Sequence, residues 1–401
     1  MSIPDYPFPR TCPFDPAAEY TEARSGPPEQ VQVPGGGRAW LITRHEDVRG
    51  LLVDPRVSAD RRHPNLPLTQ EVTPQTRAGI AAVGRCLIGL DPPEHGPRRR
   101  ALAGEFSAHR IRALRPFIRR VVDERIDALL AGPRPADLMA GFCVPVPSLI
   151  LCELLGVPWA DREFFQERAA AQVRRGLDPA LRQRAGGELR GYLDDLVAAK
   201  EADPTDDLLG RLVERDRRKV PGDRAFDHPL LVGLAMLLMV AGHDSTTSML
   251  ALSVARLLQD PGQAERLTDP VTAGPAIEEL LRYLAVVDSM PRVAAADIEI
   301  DGVTLREGDG LLFAFASANR DDKAFPDPDV LDLQRGARNH VAFGFGVHQC
   351  LGQNLARAEL EIGLRALFTR IPGLRTAVPL TEIPFATDSD VHGVEHLPVT
   401  W

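Results

Sequence analysis

Apolar residues recur along most of the chain at the spacing of amphipathic helices, with short alternating stretches between them. The pattern predicts helices over Arg98–Leu130, Pro147–Leu155, Asp161–Arg174, Asp178–Ala199 and Leu351–Phe368. The longest runs from Asp227 to Gln259: Asp227 can cap it, Pro229 suits a first turn, and the next proline is Pro261. Its first half, PLLVGLAMLLMV, is apolar nearly all round and should cross the interior. EQVQVPGGGRAWLIT predicts strands on either side of Pro34 and Gly35–Gly37, followed by a short helix over HEDVRGLLVD that Pro55 ends. Arg56–Leu90, with several prolines, reads as a long loop with short helices, a form that is often functional. After Pro291, RVAAADIEIDGVTLREGD reads as short strands, GLLFAFASANRDD follows, and PFATDSDVHGVEHLPVTW adds strands at the end. The expected class is mainly α with small β-sheets, as one domain over residues 1–401. No repeat of 20–50 residues points to a solenoid, and the order of elements fits no doubly wound nucleotide fold.

Composition narrows the classes. Of 401 residues, 44% are hydrophobic and 26% charged, which excludes a largely disordered chain. Lys plus Arg number 47 against 56 Asp plus Glu, and a net charge of −9 argues against a general nucleic-acid binder. Cys12, Cys86, Cys143, Cys152 and Cys350 form no CxxC pair and no zinc-ligand spacing, as expected of a reducing compartment. Pro4, Pro7 and Pro9 stand where a signal peptide needs its apolar region. The longest apolar run, Leu230–Ala241, is too short for about 30 Å of hydrocarbon. A cytoplasmic protein, bound to no membrane, is expected.

Cys350 lies in HVAFGFGVHQCLGQNLARAELEIGL, just before a predicted helix. By itself it reads as a small buried hydrophobe, but helix-end N–H groups and the dipole would lower its pKa, the setting of a nucleophile or a metal ligand. No triad or zinc set accompanies it, whereas an axial thiolate on haem iron needs only one protein ligand. Asp244, Ser245, Thr246, Thr247 and Ser248 interrupt the apolar centre of the long helix, in AGHDSTTS. They form either a stripe touching a crevice or a notch facing a cofactor, where a carboxylate and a hydroxyl relay protons. Glu279 and Arg282, three apart in IEELLRY, read by themselves as an ordinary surface salt bridge. His95, Arg99, Arg292 and His348 are singly surface charges, but together could neutralise two carboxylates of a buried anionic cofactor. FGFGVHQCLG lacks the GxGxxG spacing of nucleotide loops, and Arg110–Arg125 is mainly the wet side of a helix.

FGFGVHQCLG matches FGxGxHxCxG, the haem-ligand signature of the cytochrome P450 family, at each fixed position. ELLR matches its ExxR, AGHDS resembles its central-helix motif, and DPPEHGPRRR, PRVA and NRD match segments of bacterial members. The chain thus resembles actinomycete cytochromes P450 that oxidise secondary metabolites and drugs. The resemblance implies a P450 fold with a long central helix, haem b, and Cys350 as the proximal thiolate. It implies that Glu279 and Arg282 are a buried pair bracing the haem loop, and that His95, Arg99, Arg292 and His348 contact the propionates. Asp244 becomes the acid of the proton relay, with Ser245 where threonine is usual and Thr246 pointing elsewhere. The implied reaction inserts one oxygen atom of O2 into an apolar small molecule, by hydroxylation or epoxidation. Electrons would come from a ferredoxin and an NAD(P)H-dependent reductase, docking on a monomer near Arg98 and Arg100. Oxidative coupling, desaturation or ring formation, and a noncatalytic haem-binding role, stay open as alternatives. The pocket is expected from Arg56–Leu90, Leu234–Asp244, Ala285–Met290 and Thr387–Val391. Asp288 would contact a substrate amine or hydroxyl, or be a solvated loop acid.

Overall fold

Asp227 Oδ1 accepts the Leu230 backbone N–H at 3.0 Å and opens a 30-residue helix, His228–Leu257, with Pro229 in its first turn. A cap of this kind contributes about 1 kcal/mol, and at 1.5 Å per residue the helix is about 45 Å long. The computed structural model describes residues 3–34, 37–70, 73–173, 178–220, 224–386 and 391–401. The central helix runs unbroken through Gly242–Ser248, so the polar cluster interrupts its apolar pattern and not the helix. That continuity makes it long and apolar enough to cross a membrane by length and composition, contrary to the reading from Leu230–Ala241 alone. It packs instead against the Pro145–Leu155, Pro179–Ala202, Pro270–Leu284 and Gln353–Arg370 helices, as a core helix does.

The long helix expected over Arg98–Leu130 is two helices, His95–Ala103 and Ala108–Ala131. Ser107 divides them: its Oγ accepts the Arg110 N–H at 3.3 Å and caps the second helix. Apolar periodicity continues across the break through Leu102, Phe106 and Ile111, all buried, and this masks the turn in the sequence. Ala108–Ala131 buries Ile111, Ile118, Val122 and Ile126 on one face, as its alternating charge implied. Helices over Pro145–Leu155, Arg162–Val173, Pro179–Ala202 and Gln353–Arg370 follow the pattern within a few residues; Arg174 lies outside the described residues.

A five-stranded sheet runs in the order Glu29–Gln32, Arg38–Ile42, Gly310–Ala314, Ser289–Ala294, Val57–Ser58. Arg38–Ile42 pairs in parallel with Gly310–Ala314, with Trp40 opposite Leu311, and Ser289–Ala294 pairs antiparallel on its other side. Gly310–Ala314 is buried at every position, as an inner strand covered on both faces should be. Alternate residues feed two small cores: Ile42, Leu311 and Phe313 on one face, Leu41, Leu312 and Ala314 with Tyr6 and Tyr20 on the other. The main core lies among the helices. Ile298–Ile300 pairs with Val303–Leu305, Pro398–Thr400 with Ala136–Asp137 and Arg375–Thr376, and Phe385–Ala386 with Gly393–Val394. The turn glycines Gly35 and Gly36, and Thr387–Asp390 of the segment expected to line the pocket, lie outside the described residues.

Candidate functional site

The loop around Cys350 depends on its glycines. Gly344 and Gly346 have φ of 67° and 73°, in the left-handed region, and a Cβ on Gly346 would lie 2.7 Å from the Leu52 carbonyl oxygen. The loop closes when Cys350 N donates to Phe343 O and Gly344 N to Val341 O, both at 2.8 Å. Cys350 is half-buried, three residues before the Gln353–Arg370 helix. Burial pushes its thiol pKa up, against the backbone N–H groups of Gly352 and Gln353 and the charges of Arg99 and Arg357. The expected lowering is therefore not met: the donors are where the sequence placed them, but desolvation outweighs them.

His95, Arg99, Arg292 and His348 converge. His348 sits two residues before the cysteine, and the His95 ring lies 4.2 Å from its centroid. Arg99 Nη2 donates to the Gln349 carbonyl at 2.7 Å, tying the His95–Ala103 helix to the loop. Arg292 is buried inside the strand Ser289–Ala294, and its Nη1 donates to Pro291 O at 2.8 Å. Burial, then the charges of Arg292, His95, Arg99 and Arg61, bring His348 down to about 3. Burial and Arg61 bring Arg292 down to about 10. His95 Nε2 is buried with no hydrogen-bond partner. Buried arginines that suppress protonation of the neighbouring imidazoles, beside a buried ring nitrogen without a partner, fit a bound dianion such as the two propionates of haem.

Arg61 belongs to this cluster, and no sequence pattern singled it out. Its stem lies between Gly84 and Gly89, where an added Cβ would come within 2.8 and 2.5 Å of Arg61 Cγ. Its Nη2 is 3.7 Å from Met290 Sδ. The only hint was its place in the proline-rich segment expected to be functional.

The central helix opens at its middle. Residues 231–235 and 246–255 are buried, whereas Val240 and Ala241 are exposed and Asp244 and Ser245 half-buried. These four positions share one helical face, so the open stripe is apolar at one end and carries an acid and a hydroxyl at the other. Ser245 Oγ donates to Ala241 O at 2.8 Å. Thr246 is buried on another face, as expected.

Glu279 and Arg282 are fully buried. Arg282 Nε and Nη2 each donate to a Glu279 oxygen at 2.8 Å, and Arg282 Nη1 reaches the carbonyls of Asn319 and Pro328 at 2.8 Å. Arg335 Nε and the Asp332 N–H join Glu279 Oε1, both at 3.1 Å. The surface-bridge reading fails because spacing gives a shared face and not what covers it. Next to it Glu278 accepts from Arg357 at 2.6 Å and lies 3.2 Å from His340, which braces the cysteine-side helix against the Pro270–Leu284 helix.

Asp288 is not a freely solvated loop acid: its side chain is 19% exposed and tied to the amino-terminal arm. Arg10 Nη2 donates to its Oδ1 at 2.7 Å, and the Tyr6 and Tyr20 hydroxyls both donate to its Oδ2.

A family model described as "Cytochrome P450" matches residues 274–371. The chain is 45% identical to "Cytochrome P450 105A3" of Streptomyces carbophilus, over 100% of this chain and 97% of that protein. It is 44% identical to "Vitamin D3 dihydroxylase" of Streptomyces griseolus, over 99% and 97%. The crystal structure of cytochrome P450 MoxA from Nonomuraea recticatena superposes with a TM-score of 0.92 at 45% identity, covering 99% of this chain and 98% of that one.

Proposed function

The chain belongs to the cytochrome P450 family, and on that premise we propose that it inserts one oxygen atom of O2 into an apolar secondary metabolite, by hydroxylation or epoxidation. It is a cytochrome P450 monooxygenase whose cofactor is haem. The observation that carries the substrate reading is the open stripe on a helix buried over 231–235 and 246–255, where Val240 and Ala241 offer apolar contact beside Asp244 and Ser245.

Cys350, held by the Gly344–Gly346 turn, would be the thiolate ligand. Arg99 and Arg292 would neutralise the propionates, His95 and His348 would hydrogen-bond to them, and Arg61 would add charge at the edge facing Met290. Haem held by a thiolate supplies the oxygen activation itself. Around it, Val240 and Ala241 keep water from the target bond. Ser245 commits its own proton to the Ala241 carbonyl, so toward the cleft its oxygen accepts a hydrogen bond from water or a substrate hydroxyl. Asp244 supplies the carboxylate that takes up a proton and passes it on. Serine lacks the γ-methyl that stiffens threonine, and its bond to Ala241 O takes over the task of fixing the hydroxyl.

The electrons come from a ferredoxin served by an NAD(P)H-dependent reductase. Near the cysteine loop Val347 is 57% exposed, Val53 is exposed beside Gly346, and the Arg49 guanidinium covers the Phe345 ring at 4.1 Å. Arg100 is exposed, whereas Arg98 is anchored by a hydrogen bond from its Nη1 to the Arg85 carbonyl. An apolar patch edged by cations suits a small acidic partner. Five free cysteines support a cytoplasmic reaction.

The test is a screen for substrate-induced haem spectral shifts, followed by turnover with a ferredoxin system and mass analysis of the products. Products heavier by one oxygen support the proposal. Products that have only lost hydrogen overturn it in favour of coupling or desaturation.

A further inference from the structure

The amino-terminal arm is joined to the far side of the substrate cleft by one carboxylate. Asp288 is 282 residues from Tyr6 and 268 from Tyr20, yet both phenols donate to its Oδ2 while Arg10 takes its Oδ1. The two phenol oxygens are also 3.0 Å apart, and Phe8 packs edge-on to both rings at 5.4 Å. Burial and the Asp288 charge raise the pKa of both tyrosines, so each keeps the proton it donates.

From this clasp a short chain of contacts leads to the central helix. Val287 pairs in an antiparallel bridge with Val391, and His392 N donates to Val286 O at 2.8 Å. His392 Nε2 lies 2.6 Å from the Pro13 carbonyl, a second tie to the arm. The next residue, Gly393, lies against the central helix: a Cβ there would be 2.5 Å from Ser248 Oγ, on the turn that follows Asp244 and Ser245. The segment Val286–Asp288 begins directly after Ala285, whose φ of 38° is left-handed without being glycine. A strained residue at the start of a wall persists only where surrounding contacts hold the wall in place.

We propose that Asp288 is a specificity-determining positioning residue: by clasping Arg10, Tyr6 and Tyr20 it fixes the two-stranded wall Val286–Asp288 and 391–393 beside the cleft, and so sets which bulky molecules the cleft admits. The inference rests on the open stripe of the central helix being that cleft. Asp288 does this through Arg10 and the two phenols, which bond to both of its oxygens, and not through a bond to the substrate.

The test compares two iron-binding probes in the haem-loaded full chain. Imidazole is a single small ring, whereas clotrimazole carries an imidazole on a bulky triarylmethyl group. Asp288→Asn removes the charge; the double variant Tyr6→Phe, Tyr20→Phe keeps the ring packing and serves if Asp288→Asn does not fold. Losing hydrogen bonds to a buried charge should weaken clotrimazole binding about tenfold while imidazole binding changes by less than about twofold, at unchanged haem content. Unchanged clotrimazole affinity, or a parallel fall for both probes, overturns the proposal. Should the wild type bind imidazole and not clotrimazole, the cleft reading fails first and takes the proposal with it.

Discussion

Replacing Glu279 with glutamine would leave one fully buried and one half-buried guanidinium without their shared counter-charge. Arg282 and Glu279 have fully buried side chains, and Arg335 leans on the same carboxylate oxygen. Removing one partner of a buried ion pair costs about 3–5 kcal/mol, because the remaining charge is desolvated and unpaired. Unfolding entropy of about 2.1 cal/mol/K per residue gives about 0.84 kcal/mol/K for a chain of this length, so Glu279→Gln should lower Tm by about 4–6 °C. The control is Glu214→Gln. Its partner Arg218 is 73% exposed and Glu214 56% exposed, and such a pair contributes about 0.3–0.5 kcal/mol, less than about 1 °C. Thermal unfolding of haem-loaded protein, followed by far-UV circular dichroism, measures both. A Glu279→Gln variant within about 1 °C of the wild type would refute the claim that burial makes this pair different.

Three further outcomes follow from other parts of the site. Ser245→Ala should raise the fraction of reducing equivalents lost as hydrogen peroxide, and Ser245→Thr should not; NADPH consumed per product, once a substrate is in hand, decides. Glu278 is raised by burial but brought down to about 2 by hydrogen bonds from His340 and Arg357 and the Arg357 charge. Its folded pKa lies below the unfolded value of about 4.3, so its stabilisation is full above that value and lost as pH falls toward 2. Urea unfolding of Glu278→Gln should therefore differ most from wild type at neutral pH and converge with it near pH 2; a constant gap refutes the linkage. Charge reversal at Arg98 and Arg100 should slow electron transfer from a ferredoxin and flatten its salt dependence, Arg100 more than the anchored Arg98; unchanged stopped-flow rates exclude docking there.

What the sequence reveals follows the range over which each signal acts. The central helix is legible because cap, first-turn proline and apolar run lie within a few residues of one another, and the Cys350 turn because Gly344 and Gly346 must take left-handed φ. Ser107 escapes because a break of four residues keeps the buried side chains in phase. The role of Glu279 was legible only through its motif. What buries Arg282 is the backbone at Asn319, Pro328 and Val330, 37 to 48 residues onward. Asp288 and Arg61 were misread or missed for the same reason: their partners, Tyr6, Arg10 and Met290, are more than 200 residues away. The direction of the Cys350 shift failed because a helix end is local, while desolvation is set by the whole packed site.

The thiolate assignment is tested most directly by the absorption spectrum of the reduced, carbon monoxide-bound protein. Wild-type protein should show the strongly red-shifted Soret band that a thiolate opposite carbon monoxide produces. Cys350→Ser should lose that band, whereas Cys143→Ser, a change in the buried core, should keep it. A red-shifted band that survives Cys350→Ser, or is absent from haem-loaded wild type, would contradict the account.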